Sequence, residues 1–176
     1  GRSLPNAAAL AARIPASVKA IYADAAAKGD EALVRAAFGD HYMVAPARWI
    51  AARAAGGKPA FLYHFSYVGS RFRPLGVTTA AHAAEIQYVF EYWGRRTPES
   101  MVAADDKAMA KLMHGCWVAF AKTGAPQCDI AWPAYDPARD QLVEFGAQSG
   151  VRDGFRKRQL DVQQAAALPT LSLPAN

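Results

Sequence analysis

The sequence predicts an α/β fold in which helices outnumber strands. Three patterns indicate it: an alanine-rich first third with helical spacing, one aromatic segment that alternates as a strand does, and a long amphipathic helix further on. The aromatic segment, 61–68, is apolar on both faces, and a helix-covered sheet is the arrangement that buries such a strand. The composition excludes a disordered chain, because 52% of the residues are apolar and 20% are charged.

The first third of the chain is predicted to form short helices. Apolar residues at helical spacing, with breaks at Pro15 and at Gly29-Asp30, place these helices at about 6–13, 16–27 and 31–38. Asp30 is expected to cap the third helix. Pro46 suits a first helical turn, so a fourth helix is expected over 46–55, before two glycines. Forty residues of the chain are alanine, so the large core residues must come from elsewhere.

The middle of the chain changes from helical to strand periodicity. Aromatic residues alternate with others over 59–68, which predicts a strand. A long connection over 69–79 follows and leads to His82. Loops that leave the end of a sheet strand are where such folds place their chemistry, so this connection is the first candidate for a functional segment.

Three further elements are expected downstream. Apolar residues recur at spacings of three and four over 109–120, which predicts an amphipathic helix ended by Gly124. A strand is expected at 141–145 and a last helix over 153–168. Two strands alone make a marginal sheet, and we therefore expect residues outside this sequence to form most of it.

Charge and hydropathy predict neither a nucleic-acid partner nor a membrane span. The net charge is +5, but no nucleic-acid-reading motif accompanies the densest basic cluster, so we interpret that cluster as solvated surface. Its members are Arg152, Arg156, Lys157 and Arg158. No run approaches the roughly 18 consecutive apolar residues that a spanning helix needs. Cys116 and Cys128 lie on the long helix and on the loop after it, where a disulfide is geometrically possible but is not required.

The four histidines differ in their surroundings. His64 and His114 lie in predicted elements and are interpreted as structural, and His41 as a helix cap. None pairs with a second His or a Cys at ligand spacing, so we predict no metal and no cofactor. Small residues surround His82, and they let an imidazole stand free in a crowded site, as a proton-shuttling histidine must. On composition alone, a buried structural role for His82 remains the alternative.

Several blocks of the sequence resemble, in order, the C-terminal third of the type B carboxylesterases, the family of para-nitrobenzyl esterases and cholinesterases. The blocks are Gly-Asp-His at 39–41 with Pro46, Phe-Leu-Tyr-His-Phe at 61–65, Ala-His-Ala-Ala-Glu-Ile at 81–86 with Tyr-Val-Phe at 88–90, Trp-Val-Ala-Phe-Ala-Lys-Thr-Gly-Ala-Pro at 117–126, and Trp-Pro-Ala-Tyr at 132–135. The likeness runs from about Asp40 to Leu160.

The resemblance implies an α/β-hydrolase fold and hydrolysis of a small-molecule ester by a serine, an acid and a histidine. It gives His82 the place of the catalytic histidine, with Glu85 matching the family's Glu three residues on. We interpret Glu85 as a structural hydrogen-bond partner that holds the loop. No serine of the chain stands in a G-x-S-x-G elbow. Because the chain order is serine, acid, histidine, we expect 1–176 to be the C-terminal segment of one α/β-hydrolase domain. The N-terminal part of that domain, which would carry the nucleophile and is absent from this sequence, is then expected to be the partner of this chain.

The chain departs from the family pattern beside the histidine. Ala83 and Thr79 stand where the family commonly has glycine, and either change could shift the loop. We interpret Asp24, Asp30 and Asp40 as turn and cap residues and not as the triad acid. The aromatic residues flanking the histidine loop are expected to be mostly core. They are Tyr67, Phe72, Tyr88, Phe90, Tyr92 and Trp93.

Two other hypotheses remain at this point. The chain could belong to a non-catalytic α/β-hydrolase relative that binds other proteins, although such a protein has no need of His82. It could also be an independent small domain, although two strands under five or six helices make that physically doubtful.

Overall fold

The computed structural model of the chain describes residues 4–94 and 97–171. Over those ranges it has eight α-helices and three β-strands. They divide into two compact units. The helical unit comprises the described residues of Gly1–Arg53 and Arg156–Asn176, and the sheet unit is Ala54–Phe155.

The helices and strands follow one another mostly as short segments. In chain order the helices are α1 (Ala7–Ala12), α2 (Ala16–Ile21), α3 (Ala23–Ala26), α4 (Asp30–Gly39), α5 (Ala45–Ala54), α6 (Ile86–Val89), α7 (Ala104–Thr123) and α8 (Lys157–Leu171). The strands are β1 (Tyr63–Phe65), β2 (Gln141–Phe145) and β3 (Gly150–Asp153). Short 3₁₀ turns occur at Ser70–Leu75 and Glu99–Met101, and a π-helical turn at Asp40–Val44.

The helical unit differs from its prediction in the region 30–54. No break separates the third and fourth expected helices, because the π-helical turn joins α4 to α5. Pro46 has no N–H to donate to the preceding turn, and a π turn is where such an irregularity is absorbed. The Asp30 cap is also wrong: Gly29, at φ 104°, takes the cap position and Asp30 lies in the first turn. The expected helix 16–27 is divided at Tyr22 into α2 and α3.

The helical unit has a small apolar core. It consists of Ala11, Tyr22, Leu33, Val34 and Ala37, all almost completely buried. Alanine predominates along its first helices and allows them to approach closely, while the larger Leu33 and Val34 supply most of the apolar area.

The sheet unit contains the three strands in the order β1-β2-β3. β1 runs parallel to β2, with Tyr63 opposite Val143 and Phe65 opposite Phe145. β2 runs antiparallel to β3. Val143 and Phe145 are fully buried and pack in one core with Met113 of α7, because the central strand has a neighbour on each side.

The strand predictions are partly wrong. Strand β3 was not expected, and it exists because β2 continues into a hairpin that brings Gly150–Asp153 back alongside it. The last helix accordingly begins at Lys157 and not at 153. β1 pairs with β2 over only three residues of the expected segment, Tyr63–Phe65. The strand at 141–145 is confirmed.

Helix α7 confirms the amphipathic prediction and extends it at both ends, to Ala104–Thr123. Gly124 ends it at φ 76°, with its N–H donating to the carbonyl of Phe120. Cys116 within α7 and Cys128 in the following loop form a disulfide, so the pairing left open by the sequence is made.

Three residues of the basic cluster form ion pairs. Arg152 binds Glu144 at 2.8 Å, Arg156 binds Asp40 at 2.7 Å, and Lys157 binds Asp161 at 2.9 Å. These cations therefore serve contacts within their own units. Among the helices of the described ranges, none has the length and apolarity needed to cross a bilayer.

Candidate functional site

His82 lies in a turn that immediately precedes α6. The Ala84 N–H donates to the Ala81 carbonyl at 3.1 Å, and the Ile86 N–H donates to the Ala83 carbonyl at 3.3 Å. The side chain of His82 is exposed, and no residue of 4–94 or 97–171 forms a hydrogen bond with it. The imidazole is therefore accessible to a reacting group that approaches the turn.

The backbone next to His82 has the conformation that favours glycine. Ala83 has φ 63°, in the left-handed region, where an L-residue with a Cβ loses roughly 1–2 kcal/mol. Gly76, at φ 73°, ends the 3₁₀ turn before the same loop. Ala83 stands where the family commonly has a glycine. The structure shows that a left-handed conformation is adopted here, so the alanine is strained.

One buried carboxylate binds both ends of the longer connection 70–88, which runs from the predicted loop through His82 into α6. Asp106, in the first turn of α7, is 4% exposed. At the start of the connection, its Oδ1 accepts the Ser70 N–H at 3.1 Å and its Oδ2 accepts the Ser70 hydroxyl. At the far end, its Oδ1 accepts the Tyr88 hydroxyl at 3.1 Å. Sequence reasoning missed this residue, since nothing local distinguishes it from Asp105.

Two further donors complete the surroundings of Asp106. The Tyr67 hydroxyl donates to Oδ1 at 3.1 Å, and the Ala103 N–H donates to Oδ2 at 3.4 Å. Burial, followed by the charge of Asp106, raises the pKa of Tyr67 and that of Tyr88 above the ordinary tyrosine range. Both hydroxyls therefore keep their protons at neutral pH and remain donors to the carboxylate.

Gly69 is required by close packing at the same point. A Cβ at this position would lie 2.9 Å from the Tyr88 hydroxyl oxygen and 3.6 Å from Oδ1 of Asp106. The first distance is shorter than real Cβ contacts, so a larger residue here would force either the Tyr88 side chain or the backbone at position 69 to shift. The absence of a side chain at Gly69 thus lets the chain pass beside the carboxylate.

Arg73 contacts the exposed side of the group of residues around Asp106. Its guanidinium forms an ion pair with Asp105 at 2.6 Å, donates to the Val68 carbonyl at 2.8 Å, and lies 5.0 Å from the centre of the Tyr67 ring. The hydrogen bond to Asp105 raises the pKa of Arg73, which stays charged. Because both partners of the ion pair are nearly half exposed, the pair orients the segment more than it stabilises it.

The remaining histidines have structural contacts. Nδ1 of His114 donates to the Val89 carbonyl at 2.8 Å and fastens α6 to α7, and the half-buried His64 ring lies 4.6 Å from that of Phe155. The structural interpretation of both is confirmed. The capping role expected for His41 is wrong: it lies within the π-helical turn, and its Nδ1 is 3.0 Å from Oε1 of Gln163.

Asp40 is not the turn residue that the sequence suggested. Its side chain is 1% exposed, and Oδ2 binds Arg156 at 2.7 Å and accepts the Tyr22 hydroxyl at 2.8 Å. Within residues 4–94 and 97–171, Oδ1 has no hydrogen-bond partner. Burial raises the pKa of Asp40, an effect that Arg156 and Tyr22 oppose. This network lies in the helical unit. Tyr22 is 18 residues away from Asp40 in the sequence, so a local pattern could not reveal the contact.

Two expectations about the loop's surroundings are only partly met. Tyr67 and Tyr88 are core residues as predicted, but Phe90 and Tyr92 are 67% and 68% exposed. The carboxylate of Glu85 makes no hydrogen bond with any residue in the described ranges; only its main-chain oxygen does, in the first turn of α6. The same ranges hold no cluster of three side chains able to bind a metal.

Comparison with known proteins identifies the family. The model of the carboxylesterase family matches residues 6–163, which is most of the chain and includes His82 and Asp106. Among solved structures, a PNB esterase is similar at 22% identity and a TM-score of 0.64, over 88% of this chain and 32% of its own. A Geobacillus stearothermophilus carboxylesterase is similar at 24% identity and a TM-score of 0.62, over 93% of this chain and 32% of its own.

The chain thus spans about a third of the length of these structures. At these identities the likeness establishes the fold, and both neighbours are α/β-hydrolases. The helices and the small mixed sheet correspond to part of that fold. Together with the match to the family model over 6–163, this shows that the chain belongs to the carboxylesterase family and forms a partial α/β-hydrolase domain.

Proposed function

We propose that this chain is the C-terminal segment of a type B carboxylesterase and that His82 is the general base of its catalytic triad. The observation that carries the proposal is the exposed imidazole of His82 in a turn of small residues, inside the range that matches the family. A small-molecule ester is the substrate class, and the N-terminal part of the same domain supplies the serine and the acid.

In the complete enzyme, His82 takes the proton of the serine hydroxyl while the serine oxygen attacks the ester carbonyl carbon. The bond to the alcohol then breaks, and the imidazolium returns the proton to the departing alkoxide. Water repeats the same steps on the acyl-enzyme and releases the acid. His82 thus serves twice as base and twice as acid.

The position of β1 at the edge of the sheet supports a partner segment from the same domain. Within the described ranges β1 pairs with β2 and with no other strand, so a further strand can be added beside it. The N-terminal part would add a strand there and complete a helix-covered sheet. The same reasoning makes the isolated chain prone to aggregation.

The test is His82→Ala in the full-length protein, assayed with a para-nitrophenyl ester. General acid-base catalysis is typically worth about 10² to 10⁴ in rate, so kcat should fall by at least that factor. His41→Ala is the matched control, because its ring contacts Gln163 in the helical unit. A kcat near the wild-type value for His82→Ala would overturn the proposal. A full-length wild type that hydrolyses no ester would favour the protein-binding alternative.

A further inference from the structure

We propose that Asp106 is a positioning residue for His82, which it holds at the place where the imidazole acts. The inference rests on the proposed function of His82. It extends that function, because Asp106 lies in a different element and binds the segment that carries His82 at its two ends, at Ser70 and Tyr88.

Asp106 joins the two ends of the connection 70–88. Ser70 and Tyr88 lie at these opposite ends, and both donate hydrogen bonds to its carboxylate. Fixing the two ends of a loop at one point removes much of the conformational freedom of the residues between them. His82 lies within that closed connection, so its position depends on the contacts of Asp106 with Ser70 and Tyr88, which we call the Asp106 clamp.

Asp106 is held rigidly. It is part of α7, whose Met109, Ala110 and Met113 are buried in the core of the sheet unit. Its two oxygens accept five hydrogen bonds, from two tyrosine hydroxyls, one serine hydroxyl and two backbone N–H groups. The carboxylate resists movement, because loss of either tyrosine bond would leave a buried hydroxyl unsatisfied.

The contacts of Asp106 compensate for strain beside His82. Ala83 holds the left-handed conformation at φ 63°, which an alanine would leave in a loosely held loop. The absence of a side chain at Gly69 leaves room for the Tyr88 hydroxyl beside the start of the connection. The strained turn therefore persists within a connection whose two ends are fixed.

The expected effect follows from the geometry that proton transfer needs. A displacement of a catalytic group by about 1 Å can cost about 10²-fold in rate. Asp106→Asn keeps the size of the side chain but replaces one acceptor oxygen with an NH₂ group, which cannot accept the donors that face it. We expect kcat to fall by about 10- to 100-fold with KM within about twofold of wild type, because substrate binding is unaffected.

The experiment compares Asp106→Asn with Asp40→Asn in the full-length enzyme. Asp40 is the matched control: it is also a buried aspartate that accepts a tyrosine hydroxyl, but it lies in the helical unit. Measurements are kcat and KM for a para-nitrophenyl ester, and hydrogen exchange of the peptide 77–87. Asp106→Asn should lower kcat and speed exchange in that peptide. Asp40→Asn should leave both at wild-type values.

The outcomes separate this inference from the proposed function. If His82→Ala retains activity, the proposed function fails, and exchange in 77–87 alone then decides whether Asp106 holds the loop. If His82→Ala is inactive but Asp106→Asn has wild-type kcat and exchange, only the inference about Asp106 fails. Should Asp106→Asn not fold, Tyr88→Phe removes a single donor and should give the same split between kcat and KM in milder form; wild-type kcat there would equally overturn the inference.

Discussion

The two units of the molecule bury an aspartate in different ways. In the helical unit, Asp40 is compensated by a cation, Arg156, and one of its oxygens has no hydrogen-bond partner among the described residues. In the sheet unit, Asp106 accepts hydrogen bonds from neutral donors on both sides of a loop. A buried ion pair costs desolvation of both charges, whereas a carboxylate held by many dipoles fixes the positions of all of them. The difference indicates that Asp40 serves the packing of helices, and Asp106 the position of a loop.

The largest expected effect is on the helical unit. Arg156→Met removes the only cation paired with Asp40 in the described part of the chain, and should lower the free energy of unfolding by about 3 kcal/mol, as when one partner of a buried pair is removed. Chemical denaturation of the full-length protein measures it. The double variant Asp40→Asn/Arg156→Met should recover much of the loss. An Arg156→Met variant as stable as wild type would contradict the contrast between the two aspartates.

Removal of the disulfide should lower the stability of the sheet unit by nearly as much. Cys116 and Cys128 close a loop with a sequence separation of 12, for which the chain-entropy treatment gives about 3 kcal/mol. Cys128→Ala should therefore lower stability by that order and speed hydrogen exchange around the end of α7. A reductant should destabilise the wild type and leave Cys128→Ala unchanged; equal sensitivity of the two would show that the disulfide is not formed.

The pH dependence of stability should distinguish Asp40 from an exposed ion-paired aspartate. Burial raises the pKa of Asp40 in the folded chain above the ordinary value of 3.8. Between the ordinary pKa and the raised pKa, the folded chain therefore holds a proton that the unfolded chain has released. The stability of wild type relative to Asp40→Asn should thus fall as pH rises through that window. Although burial opposes it, hydrogen bonds from Lys157 and Arg48 lower the pKa of Asp161. Relative to Asp161→Asn, wild-type stability should instead be lost as pH falls below 3.8.

This pH test needs thermal unfolding at several pH values from about 3 to 7, the range in which aspartates titrate. Parallel trends for Asp40→Asn and Asp161→Asn would show that burial does not control the titration of Asp40.

The smallest effect concerns the turn that the Asp106 clamp supports. Ala83→Gly relieves the left-handed strain but adds freedom to the unfolded chain, and should stabilise by about 0.5–1 kcal/mol. Ala84→Gly is the control, since Ala84 is not among the residues with positive φ, and it should destabilise by a similar amount. Thermal unfolding of the two variants checks the sign. If both destabilise equally, the turn is not strained at Ala83.

The sequence predicted the parts of this structure that depend on neighbouring residues. The periodicity of α7, its end at Gly124, the strand β2 and the distinctive setting of His82 are all local patterns. Strand β3 was missed because its pairing with β2 decides it, and the π-helical turn because Pro46 is tolerated by a rearrangement that the pattern does not encode. The Asp106 clamp joins Ser70 and Tyr88 to a residue 36 and 18 positions away, which no spacing rule reveals.

The most direct test of the account is the reaction of the full-length protein with a fluorophosphonate. An activated serine displaces fluoride from the phosphorus and remains covalently labelled, and the serine proton passes to the base. We predict that His82→Ala reduces the labelling rate constant by at least 10²-fold while His41→Ala leaves it unchanged. Labelling of His82→Ala at the wild-type rate would contradict the claim that this histidine activates the serine.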